Sequence, residues 1–260
     1  MSDSPGARPR PVRVRWLIKG LGPGGAEQLL VNQARVTDRG AVEPSVAYLV
    51  AEKAHRVPEL EELGIEVTCL EGRGDTDVAW ARRLRRSLRD DPVDVLHVHS
   101  PAVAAVARAV VATLPPGQRP AIVSTEHNRW PRYRAPTRWA NRLTAGADAA
   151  RLAVSDEGRA TMPRRHRDRV EVLVHGTDPS RGRRAAAARA EVRAELGIAD
   201  DELVVGTVAN LRLQKGYPDL LRAARLAADI RVVAVGQGPL ESEVRALHRE
   251  LDLGDRVILT

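Results

Sequence analysis

Three histidines, two glycine-led turns and one pair of cations are the residues whose types and spacing could do chemistry. Ser124-Thr125-Glu126-His127-Asn128 places an imidazole among small polar side chains, directly after an apolar run. An imidazole so placed can hydrogen-bond a hydroxylated ligand or polarise a reacting group near neutral pH. The alternative is a buried histidine satisfied by its neighbours, and the polar company favours a site. His97 and His99 flank one residue of a predicted strand, so both rings point the same way. That spacing could ligate a metal, but no third ligand stands nearby in the sequence, which favours a structural or substrate-edge role.

Gly20-x-Gly22-x-x-Gly25 follows a β-rich run and precedes a helical one. Backbone N–H groups at a helix start can face a phosphate, and glycine lets the ligand come close. A nicotinamide enzyme would add an acidic residue near the end of the second strand, and Glu52 could serve. A nicotinamide enzyme and a tight turn with no ligand are therefore both left open by this pattern. In the second half, Asn210-Leu211-Arg212-Leu213-Gln214-Lys215-Gly216 sits between a strand and a helix. Arg212 can fork two phosphate oxygens and Lys215 adds a point charge, which with the helix start makes a diphosphate cradle. Gly236-Gln237-Gly238-Pro239 reads as a turn. Asp75-x-Asp77 could hold a divalent cation, but it stands directly before a helix, where capping is the ordinary role. Between Arg129 and Arg142 five arginines alternate with Trp130, Tyr133 and Trp139, which suits an acceptor rim, an interfacial segment or a solvated helix. No Ser-His-Asp arrangement or P-loop is legible.

The elements that must carry these residues alternate regularly. Strands are predicted at Val12 to Ile18, Ser45 to Val50, Ile65 to Leu70, Val93 to Val98, Ala121 to Thr125, Arg151 to Val154 and Val170 to Val174. Helices fall between the early ones, at Ala26 to Arg39, Glu59 to Leu63, Val78 to Leu88 and Ala102 to Leu114. Short apolar strands alternating with helices imply a parallel sheet covered on both faces. Residues 176–186, rich in Gly, Pro, Ser and Arg, read as a linker between a domain at 12–175 and a second at 187–260. The second restarts the alternation with strands at Leu203 to Ala209, Ile230 to Val235 and Arg256 to Leu259. Three strands fall short of the usual five or six of a doubly wound domain, so it reads as incomplete.

Composition sets the outer bounds. The chain has 260 residues and a net charge of +7, with 41 basic residues of which three are lysine, and no phenylalanine. The arginine excess would favour an anionic ligand or an acidic membrane surface, but a solvated, arginine-coated surface accounts for it better. Cys69 is the single cysteine, so disulfide frameworks and cysteine-based zinc sites are excluded. The default setting that follows is reducing and cytoplasmic, with peripheral contact at the inner membrane face as the variant. Residues 1–11 read as a loose tail without the apolar core of a signal peptide. The most apolar run, Ala102 to Leu114, is shorter than the ~20 residues a spanning helix needs. No nucleic-acid module accompanies the arginines.

Taken together, seven segments in order resemble the family-four retaining glycosyltransferases of the GT-B fold. They are GPGGAEQLLVNQA from Gly22, DVLHVHSP from Asp94, STEHN from Ser124, AVSDEGR from Ala153, VLVHGTD from Val172, GTVANLRLQKGYPDLLRAA from Gly206 and VAVGQGPLESEVRALHRELDLGDRV from Val233. The nicotinamide alternative accounts for the first segment only. The resemblance implies two Rossmann-like doubly wound α/β domains, the second incomplete here. It implies that a sugar moves from a UDP- or GDP-sugar donor to a carbohydrate, lipid or small-molecule acceptor without a metal or other cofactor. It further implies that Gly24 and Gly25 close over the donor diphosphate, that His127 contacts the transferred sugar, and that Asn210, Arg212 and Lys215 bind the diphosphate. The acceptor would lie on the first domain, near Asn128 and Arg129. The family commonly has arginine where this chain has Asn210, and Arg212 stands two places later. Its paired glutamates, spaced E-x7-E, are expected beyond Thr260, so this chain is expected to act as a truncated form with little activity. A non-catalytic sugar- or membrane-binding fragment is the remaining alternative.

Overall fold

The computed structural model describes residues 10–73, 77 and 79–260. They form two compact units, one ending at Thr177 and one running from Asp178 to Thr260.

In the first unit the strands are β1 (Val12–Ile18), β2 (Val42–Tyr48), β3 (Glu66–Cys69), β4 (Val95–Val98), β5 (Ala121–Glu126), β6 (Ala150–Ala153) and β7 (Val170–Val172). The helices are α1 (Gly25–Val36), α2 (Val57–Glu62), α3 (Ala79–Asp90), α4 (Pro101–Ala112), α5 (Ala135–Thr144), α6 (Asp156–Ala160) and α7 (Arg164–Arg167). All seven strands run parallel in the order β3-β2-β1-β4-β5-β6-β7. Alternation along β1 supplies both faces. Trp16 and Ile18 pack with Leu30, Val31 and Leu60 of α1 and α2, while Leu17 packs with Leu84, Val103 and Val111 of α3 and α4. A sheet buried on both sides explains why its strands are short apolar runs. The chain leaves β1 towards β2 and β3, then returns to the other flank of β1 as β4. That reversal makes a crevice at the carboxyl ends of β1 and β4, the usual ligand position in such sheets.

The second unit has α8 (Pro179–Ala185), α9 (Arg189–Glu195), β8 (Leu203–Val208), α10 (Tyr217–Leu226), β9 (Ile230–Val235), α11 (Glu241–Glu250) and β10 (Val257–Leu259). Its three strands are parallel in the order β10-β9-β8. Its core joins Tyr217, Leu221, Val232, Ala234, Val244 and Val257.

Two expectations need amendment. The stretch read as a linker is helical at Pro179–Ala185, because Asp178 accepts the Ser180 N–H at 2.9 Å and proline occupies the first turn. Helix α1 ends at Val36, short of Arg39, because Thr37 turns extended while its hydroxyl donates to the Gln33 carbonyl. Of the Asp75-x-Asp77 pair, Asp75 lies outside the described residues. Asp77 accepts the N–H groups of Ala79 and Arg73, both at 2.8 Å, which hold its carboxyl below the usual range.

Candidate active site

The carboxyl edge of the first unit's sheet carries a row of four imidazoles. His97 and His99 leave β4 on the same side, their ring centroids 4.1 Å apart. His127, just past β5, lies 5.5 Å from His99, and His175, three residues past β7, stacks on His127 at 5.5 Å with a 16° tilt. Parallel pairing of β4, β5 and β6 puts their ends level and so aligns these rings. The His97 Nε2 is 2.7 Å from the Thr125 hydroxyl, and the His99 Nδ1 is 3.2 Å from the His127 Nε2.

Electrostatics follow from burial. His99 is buried and its pKa falls well below the usual value; burial likewise takes His97 and His127 down to about 4. Partial cover lowers His175 as well. A second contribution in His97, His99 and His127 is mutual: a charge on one ring disfavours a charge on the next. Near pH 7 the row is therefore neutral, and each ring offers one donor and one acceptor. Since the His127 Nε2 faces His99, its Nδ1 is left for a ligand. Among the described residues the buried His99 Nε2 has no partner.

His127 lines a cavity of about 320 Å³ together with Glu126, Asn128, Arg129, Arg132, Val154, Ser155, Glu157 and Gly158. Three residues singled out in the sequence, His127, Asn128 and Arg129, thus share one cavity. Its floor is rigid. The Glu126 carboxylate, buried, accepts the Tyr133 hydroxyl at 2.8 Å and an Arg151 N–H at 3.2 Å. Burial first, and Glu126 second, drive the Tyr133 pKa upward. At the rim, Arg129 pairs with Glu157 at 3.4 Å. Ser155 accepts the Gly158 N–H and so caps α6. Larger hollows of about 400 and 550 Å³ lie at the opposite, amino ends of the strands. Of the arginines lining them, Arg10 pairs with Asp94 and Arg13 with Asp91, while Arg39 and Arg119 donate to backbone carbonyls, and none of the histidines lines them. We therefore place the site at the carboxyl edge.

Gly24 and Gly25 open α1, just beyond β1. The strand end is fixed by the Lys19 N–H to the Ser100 hydroxyl at 3.1 Å and the His99 N–H to the Leu17 carbonyl at 2.9 Å. Space above Gly25 is open, whereas the Glu27 carboxylate lies directly over Gly24. An anion is favoured at a helix start, yet burial raises the Glu27 pKa. A diphosphate approaching Gly24 has to move that carboxylate aside.

In the second unit, Asn210, Arg212 and Lys215 are exposed on the turn between β8 and α10. Gly216, in the left-handed region at φ 67°, lets the chain pass from the short turn at Leu213–Lys215 into α10. The turn is clamped from the next loop. Leu211 donates to the Gln237 carbonyl at 3.0 Å, and a Cβ on Gly238 would stand 2.5 Å from the Leu211 carbonyl oxygen. Gly238 is thus a close-approach position, as a turn glycine can be. Sequence reasoning missed His175 and the pairing of Glu126 with Arg151. Each joins elements far apart in the chain, so spacing carried no signal. Among the described residues no group of three or more His, Cys, Asp or Glu side chains is placed to hold a metal ion.

Residues 23–181 match the family model described as Glycosyltransferase Family 4, and residues 188–260 the one described as Glycosyl transferases group 1. The chain belongs to the glycosyltransferase family that these models describe. Among its relatives, EpsF of Bacillus subtilis (strain 168) is 25% identical over 262 residues, covering 93% of this chain and 66% of EpsF. This glycosyltransferase-family chain thus spans about two thirds of that relative's length. Anabaena Alr3699/HepE in complex with UDP and glucose superposes with a TM-score of 0.74 at 18% identity, covering 95% of this chain and 68% of that one. The catalytic domain of starch synthase IV from Arabidopsis thaliana, bound to ADP and acarbose, gives 0.70 at 14% identity, over 96% and 74%. At these identities the structures establish the GT-B fold.

Proposed function

We propose that this protein is a retaining glycosyltransferase that takes a hexose from a nucleoside-diphosphate sugar. The observation that carries the reading is the neutral His127, with its Nδ1 free, in a polar cavity at the carboxyl edge of a doubly wound sheet. A neutral imidazole hydrogen-bonds sugar hydroxyls without adding positive charge beside a carbon that itself becomes positive. Negative charge grows on the departing diphosphate, and that is the charge the second unit's exposed Arg212 and Lys215, with Asn210 beside them, are suited to stabilise. Gly25, open above, lets the donor approach the start of α1, and Gly24 does so once the Glu27 carboxylate swings aside.

In the reaction the bond from the anomeric carbon to the phosphate oxygen breaks and one to the acceptor oxygen forms. The acceptor's proton needs a base. Both carboxylates lining the cavity are engaged, Glu126 with Tyr133 and Arg151, and Glu157 with Arg129. The departing diphosphate oxygen is left to take the proton, which puts acceptor and leaving group on one face and retains configuration. Asn128 and Arg129 hold the acceptor. No metal takes part in this scheme.

Release of nucleoside diphosphate from UDP- and GDP-hexoses, with product configuration read by NMR, tests the reading. His127→Ala is expected to lower turnover roughly 100-fold or more, and Lys215→Ala about as much. Inverted product would refute retention, and an undiminished His127→Ala enzyme would refute the site.

A further inference from the structure

Helix α5 is built inside out. Its inward face is polar: Asn141, fully buried, donates to the Pro101 and Thr137 carbonyls at 2.8 and 2.9 Å and accepts from Arg108 at 2.7 Å. Its outward face carries Trp139 and Leu143, one turn apart and 62% and 80% exposed. A surface helix of a soluble protein ordinarily has the reverse arrangement. Around this apolar ridge the charge is mostly positive. Between His127 and Ala147 there are five arginines and no acidic residue. The Arg142 guanidinium lies 5.5 Å from the Trp139 ring centroid, and Arg165 of α7 donates to the Arg142 carbonyl at 2.7 Å, bringing the basic run Arg164–Arg167 alongside. Asp168, exposed, follows the α7 run, and the other acidic groups near the segment are committed: Asp148 to Arg108, Glu126 to Arg151, and Glu157 to Arg129.

We propose that this face is a docking surface for an anionic phospholipid bilayer. Trp139 and Leu143 enter the headgroup boundary, and Arg138, Arg142 and the α7 arginines meet lipid phosphates. Tryptophan with arginine suits that boundary because both have an apolar body and a polar end. Charge decides against an apolar protein groove or a second copy of the chain, since two copies of this face would repel. The cavity shares its Arg129 and Arg132 with the start of the same segment. An acceptor headgroup held in the membrane would therefore be presented next to His127. The lipid contact itself does not depend on the transferase reading.

The test is co-sedimentation of the full chain with vesicles of phosphatidylcholine, with and without phosphatidylglycerol. Binding is expected on the anionic vesicles and little on the neutral ones. Removing two charges with Arg138→Gln and Arg142→Gln is expected to weaken partitioning about thirtyfold, roughly fivefold for each charge. Trp139→Ser with Leu143→Ser is expected to abolish it. Arg183→Gln with Arg225→Gln removes the same charge from the second unit and leaves binding unchanged. Equal binding to both vesicles, binding to neither, or equal weakening by the two arginine pairs would overturn the proposal. So would a lipid-free dimer that Trp139→Ser dissociates. Loss of transferase activity with lipid binding intact would count against the site alone.

Discussion

At the scale of single residues, the histidine row makes the folded protein sensitive to acid in a definite direction. His97 and His127 stay neutral down to about pH 4, and burial holds His99 well below its usual value too. In the unfolded chain the same rings take up protons near pH 6.5. The unfolded state thus binds more protons below that value. The stability contributed by these rings is full above pH 6.5 and is lost as pH falls towards 4, at roughly 1 kcal/mol per pH unit for each ring. Urea midpoints measured at pH 7.5 and 5.5 check this, and a flat profile would mean that the rings are protonated in the native protein. The position of His127 at the carboxyl end of a strand was legible in the sequence, because it stands in polar company after an apolar run. Its tautomeric partner was only half legible: the H-x-H spacing gives a common face for His97 and His99 but not their contact with His127. His175 left no local trace, since only the pairing of β6 with β7 brings it to the row.

At the scale of elements, the alternation of apolar runs and helices fixed which strands exist, and seven strands of the first unit appear within a few residues of expectation. Their order in the sheet was not legible, because spatial neighbours such as β1 and β4 share no sequence signal. Nor was the reason for Arg108 in an otherwise apolar helix. It is 2% exposed and holds Asp148 with two N–H groups at 2.6 and 2.7 Å, while Ser124 donates to the same carboxylate at 2.8 Å. Arg151 approaches from β6 at 3.4 Å, its own pKa lowered by burial. The network ties α4 and α5 to the strands beneath the cavity. Removing one partner strands the other charge in a dry layer, so Arg108→Ala is expected to cost about 3–5 kcal/mol in urea unfolding. Replacing both, with Arg108→Met and Asp148→Asn, should recover part of that. A loss near zero for the single variant would mean that Arg151 alone satisfies Asp148.

At the scale of the molecule, a donor that binds the native state raises its melting temperature. At a hundredfold excess over Kd the gain is about 2.7 kcal/mol, or roughly 5–11 °C for a domain of 150–250 residues. UDP or GDP is expected to produce such a shift, and NAD none. The opposite outcome would revive the nicotinamide reading that the first glycine turn allows. The division into units at Thr177 and Asp178 has a practical corollary. All four tryptophans, Trp16, Trp80, Trp130 and Trp139, belong to the first unit, and the second has one tyrosine, Tyr217, in its core and no tryptophan. Indole emission therefore watches one half of the chain while leaving the other dark. Set against far-ultraviolet dichroism, which registers the helices of both, it gives each half its own melting curve without a label.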